Sequence, residues 1–248
     1  RRTNFRRSPV GNLGSQRGFF ALFFRKAGYA RLMRYDLIIF DNDGVLVDSE
    51  PISNRILAGY LTELGHPTTY EESLRDFMGG SVQRVRDMVR EKSGRALPAD
   101  FETDFHTRVF DEFRRRLQPV PGVEAVLERL AADGVPYCVG SSGSHERIRV
   151  ALTKTGLFER FGAKRVFSSQ DVPRGKPAPD LFLHAAKEMG VAPGRCAVVE
   201  DSPLGVRAAV AAGMDVYGFT AMTPAVKLRE AGATALFGDM AELPRLVR

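Results

Sequence analysis

The sequence predicts an α/β protein: a parallel sheet flanked by helices, with a smaller all-helical unit inserted after the first strand. Three observations carry this. The run Leu37-Ile38-Ile39-Phe40 has no polar alternation, which suits a strand buried on both faces. From Val123 onward, short apolar runs alternate with segments of helical period, the pattern of a parallel sheet with right-handed crossovers. Between these regions, residues 51–118 show helical period alone.

Composition narrows the class. The 248 residues are 44% hydrophobic and 27% charged, an ordinary globular balance that fits one domain or two. The longest apolar run, Gly18 to Phe24, stops at Arg25 and Lys26, far short of the roughly 20 residues of a membrane span. The two cysteines, Cys138 and Cys196, each lie in a short apolar run and read as buried thiols, so neither a disulfide framework nor a zinc site is supported. The formal net charge of +6 comes from one end. Residues 1–34 carry nine Lys or Arg and no acid, which leaves 27 basic and 30 acidic residues elsewhere, a net −3. A slightly acidic body gives no ground for nucleic-acid binding. The basic leader, 1–32, lacks the pattern of a packed element. It reads as sequence upstream of a start at Met33, as a targeting peptide, or as an arm for a polyanion; the first needs no added function and is preferred.

The elements follow in order. After the first strand comes Asp41-Asn42-Asp43-Gly44. Pro51 to Leu64 places Ile52, Ile56, Tyr60 and Leu64 on one helical face, and Gly65-His66-Pro67 ends it. Tyr70 to Phe77 forms a short helix, Ser81 caps a third over Val82 to Lys92, and Ala99 to Leu117 gives a fourth. Pro119 to Pro121 marks the return. Then come helix Val123–Ala132, strand Tyr137–Gly140, helix His145–Thr155 and strand Arg165–Ser168. Helix Asp180–Met189 with Asp180 as its cap, strand Cys196–Val199, helix Pro203–Ala212 and strand Asp215–Phe219 complete the alternation. Two short helices are expected around Ala235-Leu236-Phe237. The division expected is a core of 33–50 and 119–248 with an inserted helical domain, 51–118.

Each core strand ends in polar residues: Asp41 and Asp43; Ser141-Ser142-Gly143-Ser144; Arg174-Gly175-Lys176; Glu200-Asp201-Ser202. In a Rossmann-like parallel sheet those ends share one edge, where ligands bind. Asp, Asn and Gly are also turn residues, so a plain turn is the alternative reading of the first segment taken alone. Clustered carboxylates repel unless a cation is present, and an oxygen-only set suits Mg²⁺ completed by water and a substrate phosphate. Lys176 and the Ser-rich helix start then face an anion.

These four segments, in order and spacing over about residues 35–220, resemble the motifs of the haloacid dehalogenase superfamily of phosphotransferases. FDNDGVLVDSE is similar to its first motif, Ser141 to its second, Lys176 in GKPAPD to its third and VVEDSPLGV to its fourth. The helical insert resembles the cap domain of the β-phosphoglucomutase-like branch. The resemblance implies an Mg²⁺-dependent phosphomonoester hydrolase working through an aspartyl-phosphate. It makes Asp41 the nucleophile and Asp43 the acid and base. Asp41, Asp201 and the Asp43 carbonyl become metal ligands, and Glu200 orients a metal water or Lys176. Ser141, Ser142 and Lys176 bind the phosphate, although Ser142 also fits a purely turn-shaping role.

Two other activities compete. Sugar-phosphate mutases of the branch carry a His about ten residues after the second Asp and an Arg just after the Gly of the cap motif; here stand Ser53 and Val82, with Arg84 two places on. Both departures favour water as the acceptor. A non-catalytic anion-binding protein is opposed by the intact set Asp41, Asp43, Lys176 and Asp201. Arg84 is the position on the insert to watch as a substrate contact, set against a solvated face shared with Arg86 and Arg90. The expected partner is a small phosphorylated metabolite of the sugar phosphate class, with no nucleic acid and no membrane. A cytoplasmic monomer or weak dimer is expected.

Overall fold

The computed structural model describes residues 34–248, so the leader expected over 1–32 lies outside the described residues. Six parallel strands form one sheet: β1 (Leu37–Phe40), β2 (Tyr137–Ser141), β3 (Val166–Ser168), β4 (Cys196–Glu200), β5 (Asp215–Phe219) and β6 (Ala235–Phe237). Their spatial order is β3-β2-β1-β4-β5-β6. Strand order reverses at β1, where Phe40 lies level with Val139 of β2 and Val199 of β4. That is the switch point of a Rossmann-like sheet, where the loops diverge and leave a crevice.

Handedness fixes the helices. Going from β1 to β2 to β3, the chain crosses through α5 (Val123–Ala132) and α6 (His145–Lys154). A short helix, Phe158–Phe161, precedes β3. Going back and outward, it crosses through α8 (Asp180–Glu188), α9 (Pro203–Ala211) and α10 (Ala225–Ala231), counting that short helix as α7. Right-handed crossovers running in opposite directions place the two sets on opposite faces. Accordingly Leu37, Ile39, Cys138, Val198 and Val216 form one core cluster with α8, α9 and α10. The alternate residues Ile38, Phe40, Val139 and Val199 are equally buried, on the other face.

The insert consists of α1 (Glu50–Glu63), α2 (Tyr70–Phe77), α3 (Val82–Ser93) and α4 (Phe101–Arg116). It has its own apolar cluster: Leu57, Tyr60, Leu61, Phe77, Val85, Val89, Leu97 and Phe101. Its two chain passages run side by side. Val120 N–H donates to the Leu46 carbonyl at 3.0 Å, and Asp48 N–H to the Gln118 carbonyl at 3.0 Å. This pairing roots the insert beside the end of β1. Among the described residues no helix is long and apolar enough to cross a membrane.

Two expectations need correction. Ala235-Leu236-Phe237 is the sixth strand, flanked by α10 and by α11 (Leu243–Leu246), not a link between helices. Asp180 does not cap α8: it is the helix's first residue, and its carboxylate is held by the Arg174 fork at 3.1 and 2.9 Å.

Candidate active site

The site begins with the turn after β1. The Asn42 carbonyl accepts from both Leu46 and Val47 N–H, which closes the chain tightly and leaves Gly44 at φ +79. A Cβ at Gly44 would run into the Asp201 carboxylate, so this position needs Gly for both conformation and space. Asp41, 7% exposed, is anchored by its N–H to the Val199 carbonyl at 2.9 Å. The turn therefore faces the end of β4, as the shared sheet edge requires.

Lys176 arrives from the loop before α8, with its side chain only 4% exposed. Its ammonium donates to Asp41 Oδ1 at 2.7 Å and to Glu200 Oε1 at 2.6 Å. Glu200 spends its second oxygen on Ser202, accepting from its N–H and its hydroxyl at 2.9 Å each. A Cβ at Gly205, in the first turn of α9, would overlap the Glu200 carboxylate. Glu200 is thus wedged between a lysine and a helix start.

Charge governs this cluster. Burial, then the Glu200 and Asp43 carboxylates, push the Asp41 carboxyl up to about 7, against the pull of Lys176. Burial and the Glu200 and Asp41 charges also hold the Asp201 carboxyl well above the usual carboxylate range. Burial works against the Lys176 ammonium, but Asp41 and Glu200 outweigh it and raise its pKa. One oxygen each from Asp41, Glu200 and Asp201 lie within 4.8 Å of one another. Three buried carboxylates against one ammonium, all presenting oxygen, make a donor set that fits a hard divalent cation such as Mg²⁺.

Ser141 ends β2, buried, and its Oγ accepts from Gly143 N–H at 3.0 Å. Ser142 is exposed, and its carbonyl accepts from Ser169 Oγ at 2.7 Å. Ser144 caps α6 by accepting from Arg147 N–H at 3.2 Å. Arg84 is exposed at the start of α3, with Nε donating to the Asp76 carbonyl at 3.2 Å, so the partner seen for its side chain lies within the insert. The loop before α3 does reach the core: a Cβ at Gly79 would stand 3.9 Å from Ser202 Cβ.

Asp43 has a different cationic partner from Asp41. Arg147 of α6 grips its carboxylate, with Nη2 donating to Oδ1 at 2.6 Å and Nε to Oδ1 at 3.2 Å. Burial would raise the Asp43 pKa, but the Arg147 charge and hydrogen bonds outweigh it and hold the carboxyl below its usual range. Sequence reasoning missed Arg147. The available signal was its place four residues before Ala151 and eight before Thr155, both buried, which puts it on the inward face of α6. Glu50 was also missed. It opens α1, and its carboxylate accepts from Asn54 Nδ2 at 2.9 Å while burial and the Asp43 charge raise its pKa.

The family model of the haloacid dehalogenase-like hydrolases matches residues 35–213. The 6-phosphogluconate phosphatase of Escherichia coli is 32% identical over 216 residues, covering 87% of this chain and 96% of its own. A solved haloacid dehalogenase-like protein from Agrobacterium tumefaciens is 38% identical with a TM-score of 0.79, covering 86% of this chain and 97% of that one. A solved β-phosphoglucomutase candidate from Thermotoga maritima is 27% identical with a TM-score of 0.71, covering 85% and 98%. The chain belongs to the haloacid dehalogenase-like hydrolases. Within that family it is a phosphatase.

Proposed function

We propose that this phosphatase hydrolyses a small phosphorylated sugar, sugar acid or polyol, with Mg²⁺ as cofactor and Asp41 as the nucleophile. The observation that carries this is the buried Asp41 carboxylate, held at 2.7 Å by Lys176 with a second acid two residues on in the same turn. An Asp41 oxygen attacks phosphorus as the P–O bond to the leaving group breaks, and the Asp43 carboxyl gives its proton to the departing oxygen. Asp43, now a carboxylate, takes a proton from water as that water attacks phosphorus; inorganic phosphate leaves and Asp41 is regenerated. Lys176 and Ser141 bind phosphoryl oxygens, with Ser142 beside them. Asp41 and Asp201 carboxylates and the Asp43 carbonyl would hold the cation. When bound, Mg²⁺ offsets the charge of three carboxylates and of the transferring group.

The Arg147 ion pair gives Asp43 a definite resting role. In this arrangement the carboxylate is ready to take a proton from water. To donate one, it must leave Arg147 and carry the proton it took from water in the preceding turnover to the leaving oxygen. Glu200 orients Lys176. Residues 51–118 act as a cap whose loop around Gly79 faces the leaving group, with Arg84 kept as a contact to be tested by substitution. The phosphorylated sugar acid named for the Escherichia coli relative supports the substrate class. Water as acceptor is supported by Ser53, where mutases of the fold would carry His.

The test is hydrolysis of an aryl phosphate and of a panel of sugar phosphates, with Mg²⁺ and with excess chelator. Turnover is expected with Mg²⁺ and not with chelator. Equal turnover in both would remove the metal from the reading, and turnover of no phosphate ester would remove the whole of it.

A further inference from the structure

We infer that Arg147 is a positioning residue for the hydrolytic half of the reaction: it aims the Asp43 carboxylate at the attacking water. The inference rests on the acid–base role proposed for Asp43. Three contacts fix Arg147 independently of that role. Its fork closes on Asp43 through Nη2 and Nε, which restricts the carboxylate to one orientation. Its guanidinium carbon lies 4.8 Å from the ring centroid of Phe113, a fully buried residue of α4, so the back of the fork rests on an aromatic face. Its stem passes over Gly143, where a Cβ would stand 3.1 Å from Arg147 Cδ. Arg147, which touches both Asp43 and the insert through its guanidinium, is therefore held from the front, the back and the side.

This placement separates the two half-reactions. With an aryl phosphate the leaving oxygen needs little protonation, so the aim of Asp43 matters little as the phosphoenzyme forms. Its breakdown requires a base at water, and a carboxylate free to rotate is seldom at the right place. Losing Arg147 should slow breakdown and spare formation.

The experiment is pre-steady-state hydrolysis of p-nitrophenyl phosphate with Mg²⁺ by the full chain, in Arg147→Met, Arg147→Lys, Phe113→Leu and Asp43→Asn. Arg149→Met serves as the control, since Arg149 is exposed on α6 over the Phe158 ring. Arg147→Met should release a burst of about one nitrophenolate per enzyme, followed by turnover slowed by about 10- to 100-fold, the effect of losing a charge-assisted hydrogen bond to a catalytic group. The kcat and KM should fall together. Arg147→Lys should be intermediate, because an ammonium restores the charge without the fork. Phe113→Leu should shift the same way by a few-fold, which keeps the inference testable if Arg147→Met folds poorly. A burst that shrinks in proportion to turnover, or turnover equal to the Arg149→Met control, overturns the inference. If Asp43→Asn shows the burst and slow turnover while the Arg147 variants do not, only this inference fails. If Asp43→Asn lacks that signature too, the acid–base reading of Asp43 fails with it.

Discussion

Lys176→Met tests how the cluster is held together. Lys176 stands 2.7 Å from one carboxylate and 2.6 Å from another, and the Glu200 side chain has no exposure at all. At an effective dielectric of about 20, each pair is worth roughly 6 kcal/mol of gross Coulomb attraction. Desolvation cancels much of this, and removal of one partner from a buried pair leaves a net loss of about 3–5 kcal/mol. The loss should depend on pH. Asp41 has a folded pKa raised to about 7 from its ordinary value of 3.8. A raised carboxyl stabilises the fold below the unfolded pKa, and that stability is lost as pH rises through the folded pKa. Lys176 pulls the Asp41 pKa down, so without it that carboxyl moves higher still, and the loss should be small below about pH 7 and grow as pH rises above it. Urea unfolding in chelator, on both sides of that pH, measures this. The double variant Lys176→Met/Glu200→Gln should recover about 1–3 kcal/mol, because one of the stranded charges is gone. A Lys176→Met protein within about 0.5 kcal/mol of the parent at both pH values, a spread ordinary for surface changes, would show that Lys176 does not hold the cluster.

Further outcomes follow from the same contacts. Gly205→Ala should cost about 1–3 kcal/mol by overpacking and lower turnover, because its Cβ overlaps the Glu200 carboxylate; unchanged melting and turnover would contradict this. Gly59→Ala, inside α1 with nothing within 4 Å of the new Cβ, should instead raise stability by about 0.5–1 kcal/mol in thermal unfolding. Mg²⁺ binding should release protons near neutral pH and weaken as pH falls, because Asp41 at about 7 and Asp201 above its usual range must ionise to ligate. Calorimetry in buffers of different ionisation enthalpy reads the protons directly, and a buffer-independent heat would count against the assignment.

The strands that organise the site were legible because each is a short apolar run ending in polar residues. Leu37–Phe40 before Asp41, and Cys196–Glu200 before Asp201, are buried along their whole length and sit side by side in the sheet. β6 was not legible. It is three residues at the sheet edge, two of them only partly buried, so no run or alternation marks it. Local caps were read well where a hydroxyl does the work, as at Ser81, and wrongly at Asp180, whose carboxylate goes to Arg174. The convergence of Lys176 on both Asp41 and Glu200 follows from sheet topology. The pairing of Asp43 with Arg147 does not: it depends on the rotation of α6 and on the packing of Phe113 from the insert. Those are long-range contacts, and spacing within one segment carries little trace of them.

Asp41 is the residue proposed to carry the phosphoryl group, and its adduct can be detected by mass. The protein is mixed with an aryl phosphate and Mg²⁺, quenched in acid within one turnover, digested and analysed by mass. A phosphoryl adduct is expected on the peptide that holds Asp41, and none in Asp41→Asn. Continued turnover by the parent enzyme with the adduct on another residue, or with an Asp41→Asn protein that still forms one, would contradict the assignment.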